Sequence, residues 1–368
     1  MNRQIILVGP YPPPYHGTSI PLAHLDQYIL DQNLADTVII NTLTRYNLPV
    51  YHPQVIGTYL KLTLQLIRSL PKTDLVLITG SQGFISTIGI VFAFITKSVF
   101  NKKVSIYVHG GGYDQYYQSR SQFSQRILKR ILNKADNLIV QTRQLGDALS
   151  TEFSNLAIIP NWTKISDIQN NIIKNDPEAF LTSSDLVRFV FCGELRKEKG
   201  IQELLMAFRD IQEKLIDTGR RVSLDLFGQI NPAFQELFKS LMIKSGNGNI
   251  QYNGYLDHSD LMGKLAEFDV LILPTFLPTE GYPGVIIEAM SVGLPILTTR
   301  WRAIPEIVID GKNGLLSEPK DQAGLLENII KLTLNDELRS ELGANARKEA
   351  EKFDAGAVLP VLCNLIGL

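Results

Sequence analysis

The sequence predicts an α/β protein with two doubly wound parallel sheets in tandem, and three observations predict it. Short apolar runs without polar alternation recur along the chain, as expected of strands buried on both faces. Longer segments with helical spacing separate them. The alternation breaks once, over a polar interval at 161–185, and then restarts.

The first run, QIILVG at 4–9, stops at PYPPPYHG, where prolines and a glycine end a strand. DTVIIN (36–41), DLVLITG (74–80), KVSIYVHG (103–110) and NLIVQT (137–142) repeat the pattern, with helix-spaced segments such as IGTYLKLTLQLIRSL between them. After NWTKISDIQNNIIKNDPEAFLTSSD come VRFVFCGEL (187–195), RVSLDLFGQ (221–229), IQYNGYL (250–256), DVLILPT (269–275) and PILTTR (295–300). The expected domains are 1–165 and 166–353. In such sheets ligands bind outside the carboxyl ends of strands, where glycine-rich turns meet helix N-termini. GPYPPPYHGTS, VHGGGYD, CGELRKEKG and PTEGYPGV all occupy strand ends, which makes them the candidate site loops.

Composition narrows the class. At 368 residues and 45% apolar content the chain can bury a core in each of two domains. A net charge of −1 argues against a general nucleic-acid binder. That average hides a split. Residues 1–160 hold 14 Lys and Arg against 8 Asp and Glu (+6), and the remainder holds 22 against 29 (−7). Two surfaces with different partners are expected. The lone Cys192 and Cys363 fit a reducing cytoplasm. The start lacks the pattern of a signal peptide, and FISTIGIVFAFI (84–95) is short for a bilayer span and reads as a buried core helix. The expected location is the cytoplasm, with the inner face of the plasma membrane as a peripheral site.

The densest constellation is PTEGYPGVIIEAMSVG at 278–293. A helix starting after Pro283 leaves the amides of Gly284, Val285 and Ile286 without intrahelical partners, ready for a phosphate or sugar oxygen. Glu280 before the turn and Glu288 one helical turn in can approach one ligand from two sides. An ordinary polar helix face of Gly284, Glu288, Ser291 and Pro295 fits the same letters. The chain contains no D-x-D and no G-x-G-x-x-G, so neither a metal held on a diphosphate nor a nicotinamide cofactor is expected.

EGYPGVIIEAMSVGLP resembles the donor-binding signature of the family-four retaining glycosyltransferases, which have the GT-B fold of two Rossmann-like domains facing a central cleft. DVLILPT before it and IPEIVIDGKNGLL after it are similar to the family as well. The resemblance implies a UDP- or GDP-sugar co-substrate, no cofactor, and a glycan or polyprenyl-linked acceptor in cell-surface polysaccharide synthesis. It implies that Glu280 holds hydroxyls of the transferred sugar and Glu288 the ribose diol, roles suited to a two-oxygen acceptor. It matches Lys199 to the family's diphosphate-binding lysine. The family's usual arginine after the glycine is Glu194 here, which leaves Arg196 as its substitute. Gly17 would let backbone amides reach the phosphates, with His16 in place of a paired glycine and facing the acceptor. His109 would lie near the reacting centre, with Asp114 as an acceptor-side candidate. The segment 354–368 would cross back onto the first domain. A sugar-nucleotide epimerase of the same fold, a non-catalytic sugar-nucleotide-binding subunit and a nicotinamide oxidoreductase are the competing readings.

RSQFSQRILKRILNK at 120–134 sets Phe123, Ile127 and Ile131 in one row beside Arg126, Arg130 and Lys134. Two readings fit: a surface helix packing its apolar stripe on the core, or a basic amphipathic helix on an anionic membrane.

Overall fold

The structure, a computed structural model, describes residues 3–13, 19–43, 53–165, 185–246 and 248–368. Each run expected to be a strand is one. β1 (Gln4–Gly9), β2 (Asp36–Asn41), β3 (Leu75–Ser81), β4 (Lys103–His109), β5 (Asn137–Val140) and β6 (Leu156–Ile158) form a parallel sheet in the order β2-β1-β3-β4-β5-β6. β7 (Leu186–Cys192), β8 (Arg221–Phe227), β9 (Ile250–Tyr252), β10 (Val270–Leu273), β11 (Ile296–Thr299) and β12 (Gly314–Ser317) form the second, in the order β12-β11-β10-β7-β8-β9. These two parallel six-stranded sheets clothed by helices are the GT-B pair of α/β domains. The chain divides into one unit of residues 1–162 and 355–368 and another of 163–354, where 1–165 with 354–368 and 166–353 were expected.

The missing alternation in the strands has a direct cause, since both sheet faces are covered. In the first unit Ile5, Leu7, Leu75, Leu77 and Tyr107 meet the helices Ser19–Asp31 and Ala355–Ile366 on one face. Ile6, Val8, Val76, Ile78 and Val104 meet helical residues from 53–69, 82–99 and 122–132 on the other. The C-terminal helix buries Val358, Leu359, Leu362 and Cys363 there. The second unit has one continuous core around β7, β8, β10 and β11.

Strand order fixes where a site can form. From β7 the chain winds outward through β8 and β9, and from β10 it winds the other way through β11 and β12. Neighbours β7 and β10, with Phe189 opposite Val270, therefore have loops that leave in opposite directions, and a crevice opens between them. β1 and β3 make the equivalent switch in the first sheet.

One expectation is corrected. The apolar 84–95 stretch belongs to a longer helical run, Gln82–Val99, and only 28% of it is buried. Ile85, Phe92 and Ala93 reach the core while Val91, Phe94 and Val99 are exposed. By length and composition this run could cross a membrane, yet it packs along its inner side on the sheet. A single-face amphipath reads as a core helix when its outer face is also apolar, because no polar letter marks the exposed side.

Candidate active site

The loops after β7 and β10 are knitted together at the switch point. Gly200 ends the first loop at φ 72°, and a Cβ there would lie 2.1 Å from the carbonyl oxygen of Pro274, so only glycine permits this approach. The Phe276 amide donates to the Glu198 carbonyl at 2.7 Å. Lys199 is thereby brought to Glu280, its Nζ donating to Oε2 at 2.7 Å. The Thr275 hydroxyl donates to the same oxygen at 2.7 Å. Oε1 of Glu280 has no described protein partner, and Nζ retains two further hydrogens.

Pro283 caps the helix Gly284–Ser291 through backbone alone. The amides of Gly284 and Val285 have no partner among the described residues, but the Ile286 amide donates to the Pro283 carbonyl at 3.0 Å. The expectation of three free amides is corrected to two, because the first turn tightens into a 3₁₀-type bond. The reading of 284–295 as an ordinary solvated polar face also fails: Glu280 is 7% and Glu288 8% exposed, and Ser291 is fully buried. Glu288 has no hydrogen bond to its carboxylate among the described residues, and its nearest described partner is His258 Nδ1 at 3.7 Å. Burial raises its carboxyl to about 7. Its charge in turn helps burial push the Cys192 thiol up to about 12. A buried carboxyl with spare accepting capacity suits hydroxyls, and two spare amides at the start of the same helix suit phosphate oxygens.

Arg196 is held elsewhere. Its Nε donates to Glu198 at 2.8 Å and Nη1 lies 3.5 Å from Glu194. Nothing described joins it to Lys199, Glu280 or Glu288.

In the first unit His109 ends β4, with Thr79 of β3 and Gln141 after β5 beside it. The Gly110 amide donates to Gln141 Oε1 at 2.9 Å, which fixes the side-chain amide and turns its NH₂ toward His109 Nδ1 at 3.0 Å. Nδ1 therefore accepts, so the proton sits on Nε2 and points at the Thr79 hydroxyl at 2.5 Å. Burial lowers the imidazole to about 4, so the ring is neutral at physiological pH. A locked neutral tautomer is a positioned dipole rather than a general base. Asp114 lies in the first turn of the helix Tyr113–Gln118, where a carboxylate suits the helix dipole. His16 and Gly17 lie outside the described residues.

Sequence reasoning missed Thr275, His258, Gln141 and Thr79. Thr275, Thr79 and Gln141 lie at the ends of the strand letters DVLILPT, DLVLITG and NLIVQT and had that signal; His258 is a lone polar residue with none. Among the described residues no group of three or more His, Cys, Asp or Glu side chains is placed to hold a metal ion.

Residues 173–349 match the family model of glycosyl transferases group 1. An uncharacterized glycosyltransferase of Methanocaldococcus jannaschii is 28% identical over 61% of this chain and 57% of its own length. The capsular polysaccharide biosynthesis glycosyltransferase CapM of Staphylococcus aureus is 28% identical over 51% and 47%. The chain thus spans about half the length of these curated relatives. Among solved structures, sucrose-phosphate synthase from Thermosynechococcus elongatus superposes with a TM-score of 0.76 at 18% identity, covering 99% of this chain and 98% of that one. Anabaena HepE in complex with UDP gives 0.71 at 17% identity, covering 98% of each. The solved structures share the fold of two α/β domains, and the match to the glycosyl transferases group 1 model lies within the second unit and covers just under half of the chain.

Proposed function

We propose that this protein is a glycosyltransferase that moves a sugar from a nucleotide-sugar donor to a glycan or lipid-linked glycan with retention of anomeric configuration, in the synthesis of a cell-surface polysaccharide. The observation that carries the reading is the Lys199, Glu280 and Thr275 cluster at the β7/β10 switch point, followed directly by a helix that carries the buried Glu288 and begins with the Gly284 and Val285 amides. UDP in the complex of the structural neighbour HepE supports a nucleotide-sugar as the ligand class.

In this reading Glu280 Oε1 accepts from sugar hydroxyls, and Glu288 accepts from the ribose diol. Lys199 donates a remaining hydrogen to the diphosphate, spreading charge as the bond from the anomeric carbon to the diphosphate breaks. The acceptor oxygen bonds to the same face of that carbon, and its proton passes to the departing diphosphate oxygen. The neutral His109 contributes orientation and no proton. The protein works in the cytoplasm at the inner membrane face.

A nucleotide-release assay across UDP- and GDP-sugars, with lipid extract as acceptor, tests the reading. Release should require one donor class, and proton NMR of the product should show the donor's anomeric configuration. Product of opposite configuration would overturn retention, and no turnover with any donor would overturn transfer.

A further inference from the structure

Three helical segments of the first unit cover one face of its sheet: 53–69 beside β2, 82–99 over β3 and β4, and 122–132 packed against 82–99. Each has an inner row in the core and an outer row at helical spacing. The outer row of the first is Ile56, Leu60, Leu64 and Arg68, all exposed, with Leu60 at 60%. The outer row of the second is Thr87, Val91, Phe94 and Ser98, with Val99 beyond it and Phe94 at 47%. On the third, Leu128 and Leu132 make the core contact, while Phe123 is 72% exposed and Ile127 is exposed beside Arg126, Arg130 and Lys134. Of the row Phe123, Ile127 and Ile131, the first two face out and Ile131 is half-buried against the core.

The three helical segments themselves carry charge of one sign. None of the segments 53–69, 82–99 and 120–134 contains Asp or Glu. Lys61, Arg68, Arg126, Arg130 and Lys134 are exposed and have no ion-pair partner among the described residues. Lys97 and Lys129 on the same helices are paired, with Asp136 and Glu152. Large exposed apolar side chains on three neighbouring helices, among cations and with no carboxylate on the helices themselves, are poor surface for water and for a second copy of the same cationic face. They match a layer that offers acyl chains beneath anionic headgroups.

We propose that the outer rows of all three helices form one docking face for an anionic bilayer, with Leu60, Leu64, Val91, Phe94 and Phe123 entering the headgroup boundary and the cations lying on phosphates. The inference extends the peripheral-membrane reading from one helix to a surface, and does not depend on the donor assignment.

The test is co-sedimentation with vesicles of phosphatidylcholine carrying about one third phosphatidylglycerol at low salt, with UDP affinity measured by calorimetry on the same preparations. Replacing Arg126, Arg130 and Lys134 by Gln should weaken vesicle binding on the order of a hundredfold, and raised salt should mimic it. The pairs Leu60→Ser/Leu64→Ser and Val91→Ser/Phe94→Ser should each weaken it by about tenfold or more, since each withdraws two apolar side chains from the boundary. All are exposed positions, so thermal stability and UDP affinity should be unchanged. Wild-type indifference to these vesicles overturns the proposal. So does full binding by both Ser pairs, which would leave the 122–132 helix acting alone. A wild-type dimer by light scattering that the Leu60/Leu64 pair converts to monomer also overturns it, assigning the face to a second copy. Loss of UDP binding in the wild type would strike the donor reading and leave this one standing.

Discussion

Glu288→Gln should stabilise the protein and weaken its ligand binding together. The carboxyl is 8% exposed, and burial holds it at about 7 against 4.5 for the free side chain. A folded-state pKa raised above the unfolded value means that ionisation opposes folding. Stability is then fully present below 4.5 and falls as pH rises through 7. The interval between those values corresponds to roughly 3 kcal/mol. His258 at 3.7 Å and the Cys192 thiol are the titratable groups facing the carboxyl, and burial disfavours charge on both. Glutamine has no charge to ionise. Denaturant unfolding at about pH 4.5 and pH 8.5 should show the variant's advantage growing by about 2–3 kcal/mol at the higher pH. Calorimetry at the same pH should show a nucleoside diphosphate binding roughly tenfold to a hundredfold more weakly, the loss of about 1–3 kcal/mol in charge-assisted hydrogen bonds. Equal stability of the two proteins at both pH values would refute the buried-charge argument. Unchanged nucleotide affinity would refute the ribose role.

Glu280→Gln should lower turnover more than donor affinity, because sugar contacts tighten as oxocarbenium character develops; steady-state kinetics giving a raised KM at constant kcat would contradict this. Activity should persist in excess EDTA, and a loss reversed by Mn²⁺ would show that Lys199 is not the main counter-charge to the diphosphate. The His109 imidazole should stay neutral between about pH 8 and pH 5.5, so its NMR signals should hold still there. As pH falls below 6.5 the unfolded ring takes up a proton that the folded ring refuses, so the stability from the neutral ring is present above 6.5 and is lost as pH falls through the folded pKa of about 4.

The strands were legible because burial on two faces writes a continuous apolar run, as in Val270–Leu273 and Ile5–Val8. β6 and β12 were missed. Leu156–Ile158 is a partly exposed edge strand, and Gly314–Ser317, though buried, offers only the adjacent apolar letters Leu315 and Leu316 behind a turn. The Glu280 and Glu288 spacing was legible because the turn and the helix are local. The pairing of Lys199 with Glu280 was not, since 81 residues separate them and only the strand order brings their loops together. Arg196 shows the limit of reading by type. A cation beside the site letters is a site cation only if no nearer carboxylate claims it, and Glu194 and Glu198 stand two residues away on either side.

The Lys199–Glu280 pair decides how the site avoids two buried single charges. An isolated ammonium or carboxylate at this depth would carry a desolvation penalty of several kcal/mol, and removing either partner of such a pair typically costs about 3–5 kcal/mol. Together, with Thr275 fixing the shared oxygen, they hold geometry before any ligand binds. The pair leaves one carboxylate oxygen and two ammonium hydrogens uncommitted. A donor with a hydroxylated ring on one side and a diphosphate on the other would satisfy both remainders at once. Glu288 behaves differently because it has no cation within hydrogen-bond reach among the described residues, and burial instead pushes its carboxyl up. The two glutamates of one short motif are thus separated by their neighbours, one kept as a paired acceptor and the other left near neutrality for a diol to complete.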